Sequence, residues 1–176
     1  MQLKSLEECR LKIGKYPRFT YNAYGGGGKA TLLPNQNNNL LHISFSSKTF
    51  SIPPLTSKTT KFLSFPLPPG FKIEMSMDKL EGTIDQNSGK VLLTFESKFF
   101  FSIGAMLRFP ELIVKTLLKT GKVKGKLHEG EGLPLQSNGT TKLVGISMIP
   151  KTGNKILDSF LGLPNEALAE LQCEIT

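Results

Sequence analysis

Four consecutive glycines, Gly25 to Gly28, stand directly before Lys29, a composition that suggests a loop wrapped around a phosphate. Such a loop needs a glycine, four intervening residues and then Gly-Lys-Ser/Thr, and here Ala23 and Ala30 occupy the first and last of those places. The run therefore reads as a flexible connection between strands. The two histidines are isolated in sequence. His42 lies on the polar side of an alternating run, and His128 lies in the turn-like stretch His128-Glu129-Gly130-Glu131-Gly132, so both are expected at the surface rather than on a metal. Asp78, Glu81 and Asp85 are the one concentration of carboxylates of the kind general acid/base chemistry uses, and an adjacent turn accounts for them. No Gly-x-Ser-x-Gly elbow is present to activate a serine. We therefore expect no catalytic residues, no metal site and no cofactor: a protein that binds rather than reacts.

Two sets of residues could bind. Lys122, Lys124 and Lys126 recur with period two and point to one side of an extended chain, with Lys115 and Lys119 leading into them. They form either an anionic-surface binding patch or the wet side of an edge strand that lysine protects from aggregation. The second set is apolar. Phe71, Ile73, Met75 and Met77 alternate with Lys72, Glu74, Ser76 and Asp78; after a turn, Val91, Leu93, Phe95, Phe99 and Phe101 form the matching dry face. Either they fill a packed core, or, helped by adaptable methionines, they line a cavity for an irregular apolar guest.

These residues are positioned by a long antiparallel hairpin over Phe71 to Phe101 that turns at Asp85-Gln86-Asn87-Ser88-Gly89. The parity slips after Met77, because the next apolar residues are Leu80 and Ile84, and a bulge near Asp78-Lys79 would restore it and bend the strand. Further strands are expected at Phe19 to Ala23, Ala30 to Leu33, Leu41 to Phe45, Leu112 to Leu118 and Lys142 to Ile149, the last introduced by the tight-turn pair Asn138-Gly139. Polar residues Pro34 to Asn39 suit a chain reversal. Residues 1 to 15 are weakly patterned, with Leu3, Leu6 and Leu11 spaced for a short helix. A helical turn over Ile156 to Leu161 should precede a final strand carrying Ala167, Ala169, Leu171, Cys173 and Ile175. Five prolines between Ile52 and Gly70 exclude a central strand there, and the phenylalanines Phe62 and Phe65 make this a loop packed over an open end of the sheet or displayed to a partner. The pattern predicts one all-β domain over residues 1 to 176. It would be a single antiparallel barrel or strongly bent sheet with one or two short helical segments.

Composition narrows the partners. The formal charge of +8 comes from 19 lysines and only 3 arginines, a diffuse positive field suited to acidic surfaces but poor for bidentate recognition of nucleic acid. Twelve phenylalanines, three tyrosines and no tryptophan favour a dry interior. Cys9 and Cys173 give neither a disulfide framework nor zinc spacing and are expected as buried free thiols, brought near each other if the first and last strands meet. The first ten residues hold no apolar segment of signal-peptide length, and no run approaches a membrane span, so a soluble intracellular protein is expected.

Leu80-Glu81-Gly82-Thr83-Ile84, Ser88-Gly89-Lys90-Val91, Pro110 to Thr116, Leu143-Val144-Gly145 and Leu157 to Pro164 together resemble a little-studied group of cyanobacterial and plastid-targeted β-rich proteins. The resemblance spans roughly residues 80 to 175 and rests on structural rather than chemical motifs. It implies an oxygenic photosynthetic cell and a cytoplasmic or stromal protein peripheral to thylakoid membranes. The strand pattern also resembles lipocalin-like and polyisoprenoid-binding barrels. The resulting expectation is a non-enzymatic module for an apolar lipid, isoprenoid or pigment at an anionic membrane. The alternative is an assembly protein that contacts a partner protein through its surface, and nucleic acid is not expected.

Overall fold

In the computed structural model, residues 1–33 and 39–176 are described, so the chain reversal expected over Pro34 to Asn39 lies, except for Asn39, outside the described residues. The strands are β1 (Gln2–Ser5), β2 (Cys9–Ile13), β3 (Phe19–Tyr21), β4 (Gly27–Leu33), β5 (Leu40–Phe45), β6 (Thr60–Phe62), β7 (Phe65–Pro66) and β8 (Phe71–Asp85). They continue as β9 (Lys90–Ile103), β10 (Leu107–Arg108), β11 (Leu112–Lys119), β12 (Gly121–Lys124), β13 (Glu129–Gly132), β14 (Thr140–Ile149) and β15 (Asn165–Ile175), with α1 (Lys155–Leu161) before the last. Eight of them pair antiparallel in the order β1-β4-β5-β8-β9-β11-β14-β15, and β15 returns to β1, so the sheet closes into a ring.

The β8–β9 hairpin is the longest pairing and runs from Phe71 opposite Ile103 to Asp85 opposite Lys90. Its register shifts between Met77 and Lys79, at the bulge that the slipped alternation predicts. Asp85 shapes the turn by accepting hydrogen bonds from the Asn87 and Ser88 amides and the Ser88 hydroxyl, which hold its carboxyl below the usual range. Asn154 caps α1 by accepting from the Ile156 and Leu157 amides, and Gly162 ends it in the left-handed conformation.

Residues 1 to 15 form two strands, not a short helix. Both lie along β15, β1 through Leu3 opposite Ile175 and β2 through Ile13 opposite Ala167, so they act as one strand interrupted at residues 6–8, where Glu8 takes a φ of 58°. Leu3, Cys9, Leu11 and Ile13 supply its dry face, and the helical spacing of Leu3, Leu6 and Leu11 is incidental. The interruption matters because β1 is joined to β4 on its far side whereas β2 is joined to β3, which leads on through β6 to β7. The sheet thus splays into two halves. β5 follows β8 only from Glu81 to Asp85, and the other half of β8 is reached by a single bridge, Leu55 to Ile73, from the proline-rich segment. That segment is therefore a side wall, with short strands β6 and β7 inside it.

The apolar interior divides accordingly. Leu3, Ile43, Ile84, Val91, Leu93 and Leu143 pack one half solidly. Leu55, Ile73, Phe101, Leu112, Ile149 and Leu161 belong to a second cluster in the splayed half. The glycine run is not wholly a connection: Gly27 and Gly28 lie in β4 opposite Lys4 and Leu3, and a Cβ on Gly27, at φ 119°, would stand 2.0 Å from the Leu3 carbonyl oxygen, so β1 and β4 could not approach.

Candidate functional site

A cavity of about 570 Å³, within the range of about 300–1,000 Å³ typical of small-molecule sites, occupies the splayed half and reaches Leu80 and Leu118 of the packed cluster. The hairpin contributes Phe71, Ile73, Met75, Phe95, Phe99 and Phe101, six of the nine residues named from the dry faces. Met77, Val91 and Leu93 also point inward, but they belong to the solid cluster beneath and do not line the cavity. Alternation identifies the face of a strand, not how far along the ring a residue sits.

Sequence reasoning did not assign the rest of the wall. β2 and β3 present Leu11, Ile13, Phe19 and Tyr21; the proline-rich segment presents Ile52, Leu55, Phe62, Leu67 and Pro68; β15 presents Ala167 and Ala169, whose small side chains leave the space open. Phe19 and Phe62 stack with ring centres 4.7 Å apart, and Phe71 meets Phe101 edge to face at 6.3 Å. The five prolines were the available signal, since a loop tied down by prolines and phenylalanines must pack against something apolar.

Several polar groups on the lining already have partners. The Tyr16 hydroxyl donates to the Phe160 carbonyl, the Thr116 hydroxyl donates to the Ile146 carbonyl at 3.1 Å, and Glu170 pairs with Arg10 at 3.6 Å. Burial, reinforced by neighbouring Cys9, pushes the Tyr21 phenol well above its usual range. Cys9 and Cys173 are free and buried; burial raises their thiols to about 11 and about 12 respectively, so neither is a thiolate at neutral pH. The wall is thus mainly hydrocarbon and aromatic, with the Tyr16 and Thr116 hydroxyls turned to the protein and Ser5, Lys12 and Ser147 as further polar residues on the lining.

No protein-family model, curated protein or solved structure matches this chain.

The other candidates for chemistry lie apart from the cavity. Glu81 pairs with Lys79 at 2.8 Å on the outer face, and Asp85 is at the distal turn. Among the described residues no three of His, Cys, Asp and Glu gather as a metal-binding group. No helix among them is long and apolar enough to cross a membrane.

The lysine stripe falls on two different sheets. Lys115 and Lys119 belong to β11, where Lys115 pairs with Glu96 at 3.0 Å. Lys122 and Lys124 lie on the separate β12–β13 hairpin, opposite Glu131 and Glu129. Lys126 follows in the connecting loop, so carboxylates stand beside much of the stripe.

That loop also corrects the expectation of a surface histidine. His128 is buried at 6% exposure, with Nε2 3.2 Å from the Glu166 carbonyl oxygen. The Glu166 carboxylate, itself buried, accepts hydrogen bonds from the Lys126, Leu127 and His128 amides at 2.7, 3.0 and 2.7 Å. Burial alone would raise this carboxyl, but the three amides and His128 together hold it below its usual range. Gly125 permits the contact, because a Cβ there would overlap Glu166 Oε1 at 2.4 Å. One side chain of β15 thereby clamps the β12–β13 hairpin onto the outside of the ring.

Replacing Glu166 with Gln should lower unfolding free energy by about 1–3 kcal/mol, the cost of losing charge-assisted bonds at a buried site. The loss should show as earlier amide exchange in residues 121–132. Since folding lowers this carboxyl's pKa, its contribution is fully present above the unfolded-state pKa and disappears as pH falls through the folded one. The wild type and E166Q should therefore converge in stability in acid, and a constant difference down to low pH would contradict the clamp.

Proposed function

We propose that the protein is a non-enzymatic carrier or holder of an apolar molecule, of the lipid, isoprenoid or pigment class, in a lipocalin-like manner. The observation that carries this reading is the 570 Å³ cavity lined by the Phe71, Met75, Phe95 and Phe101 face, because a void of that size with apolar walls forfeits packing unless something apolar fills it. The predominantly apolar lining, with the Tyr16 and Thr116 hydroxyls engaged by the backbone, favours a guest recognised mainly by shape and hydrophobicity.

Native mass spectrometry of protein gently isolated from a photosynthetic host tests the proposal. A stoichiometric apolar companion released on denaturation is the expected result. A clean apo mass, together with failure to take up cis-parinaric acid added in vitro, would overturn it.

The alternative, an assembly module acting through its surface, draws on one feature of the same wall. Phe65 is 73% exposed while its hairpin partner Phe62 is packed, so the proline-rich segment displays one ring outward.

A further inference from the structure

Strand registers bring the ends of seven strands, with the segments that adjoin them, to one end of the ring. Phe71 faces Ile103, Ile149 faces Asn165, Ile13 faces Ala167, Leu11 faces Phe19 and Phe19 faces Phe62. This is the cavity end, since Tyr16, Phe62, Pro68, Ile103 and Phe160 from these segments line it. Ile103 and Phe160 are also 45% and 53% exposed, so the cavity wall continues into solvent here.

The rim carries apolar side chains at its tips. Leu63, Phe65, Met106, Leu107 and Ile156 are all exposed, Met106 almost completely. Leu63 and Ser64 both have positive φ, 52° and 68°, in the two-residue turn between β6 and β7. Asn and Gly ordinarily supply that backbone. A leucine there accepts strain to put a hydrocarbon group at the apex, and such strain points to a use for the exposed side chain.

Charge at the same end is one-sided. Lys15, Arg18, Lys61, Arg108, Lys151 and Lys155 are exposed, and none is in an ion pair among the described residues. The neighbouring acids are occupied: Glu74 with Lys72, Glu111 with Lys98, and Asp158 with the Thr152 hydroxyl and the Thr152 and Gly153 amides, with Lys151 also attracting it though not as a close ion pair. The lysines of β12, by contrast, stand opposite glutamates.

We propose that this end, not the lysine stripe, docks the protein on an anionic lipid bilayer, with the apolar tips inserted among the acyl chains and the cations at headgroup level. This inference rests on the apolar-cargo reading and gives it a route, since the cavity mouth then opens onto the lipid. Separate apolar tips on several turns suit a bilayer, which accepts point insertions, whereas a protein partner would favour one contiguous patch. Cations near an anionic surface add attraction that falls with salt.

Co-sedimentation with phosphatidylglycerol/phosphatidylcholine vesicles tests this, with cis-parinaric acid uptake read on the same samples. Wild type should sediment with the anionic vesicles, much less with phosphatidylcholine alone, and less as salt rises. K15E/R18E/K151E/K155E should lower the partition coefficient by roughly a hundredfold or more. L63S/F65S/M106S should also lose vesicle binding, while K122E/K124E should sediment like wild type. None of these positions lines the cavity, so parinaric acid uptake should persist and certify the fold. Rim variants that sediment like wild type, or loss of binding in K122E/K124E alone, would overturn the docking surface. Binding to immobilised acidic protein but not to vesicles would overturn it in favour of a protein partner. Rim-dependent sedimentation without parinaric acid uptake would overturn the cargo reading and leave the docking surface standing.

Discussion

Met75→Asp is expected to abolish uptake of cis-parinaric acid, with affinity falling at least about a hundredfold, while the circular dichroism of the sheet is retained. Met75 lies on the cavity wall opposite Phe99 and is only partly buried, so the substitution leaves the solid half of the interior untouched. A carboxylate placed there has no cation on its strand face and must hold water in the cavity, at a cost of several kcal/mol to any apolar guest. The apolar surroundings raise the pKa of the introduced carboxyl, so it becomes neutral on mild acidification and uptake should partly return. Met75→Leu should bind like wild type. A folded M75D that retains wild-type uptake would show that the probe sits elsewhere.

The second large effect concerns the frame. Gly82→Val should destabilise the protein by about 3–5 kcal/mol, read as a lower urea midpoint. An added Cβ would lie 1.9 Å from the Leu92 carbonyl oxygen and 2.9 Å from the Leu93 Cα, both backbone of the paired strand. Neither can yield without separating β8 from β9, the pairing from which both the packed half and the cavity wall are built. Gly104→Ala is the contrast: its Cβ would meet nothing within 4 Å, so only its φ of 62° resists the change, at about 1–2 kcal/mol. Equal losses for the two would remove the steric explanation.

These two sites show how differently frame and cavity are written in the chain. The β8–β9 hairpin, its bulge, the strand over Leu112 to Leu118, the Asn138-Gly139 turn and the order of helical turn and final strand are all local patterns, and the structure has them where the residues place them. Residues 1 to 13 failed that reading because Leu6 falls out of phase at the interruption, and the strand identity of β1 and β2 comes from β15, more than 150 residues away. His128 was misread for a related reason: its turn is polar and glycine-rich, and only the remote Glu166 draws it inside. The cavity was half legible. Its hairpin wall follows from alternation, but the depth at which packing stops depends on where β5 leaves β8 and on what Leu55 bridges, and no periodicity encodes that.

The interrupted strand formed by β1 and β2 also sets the timing of assembly. Each half of the ring is sealed by a different part of it, and both parts need the same partner, β15. Until β15 is in place, the dry faces of β8, β9 and β14 enclose nothing, and β14, β1 and β2 each lack a neighbour. Closure is therefore among the most non-local events this chain can undergo, and such contacts form slowly because the loop entropy comes first. The same strand that completes the container ends the interval in which the chain can pair with another copy of itself.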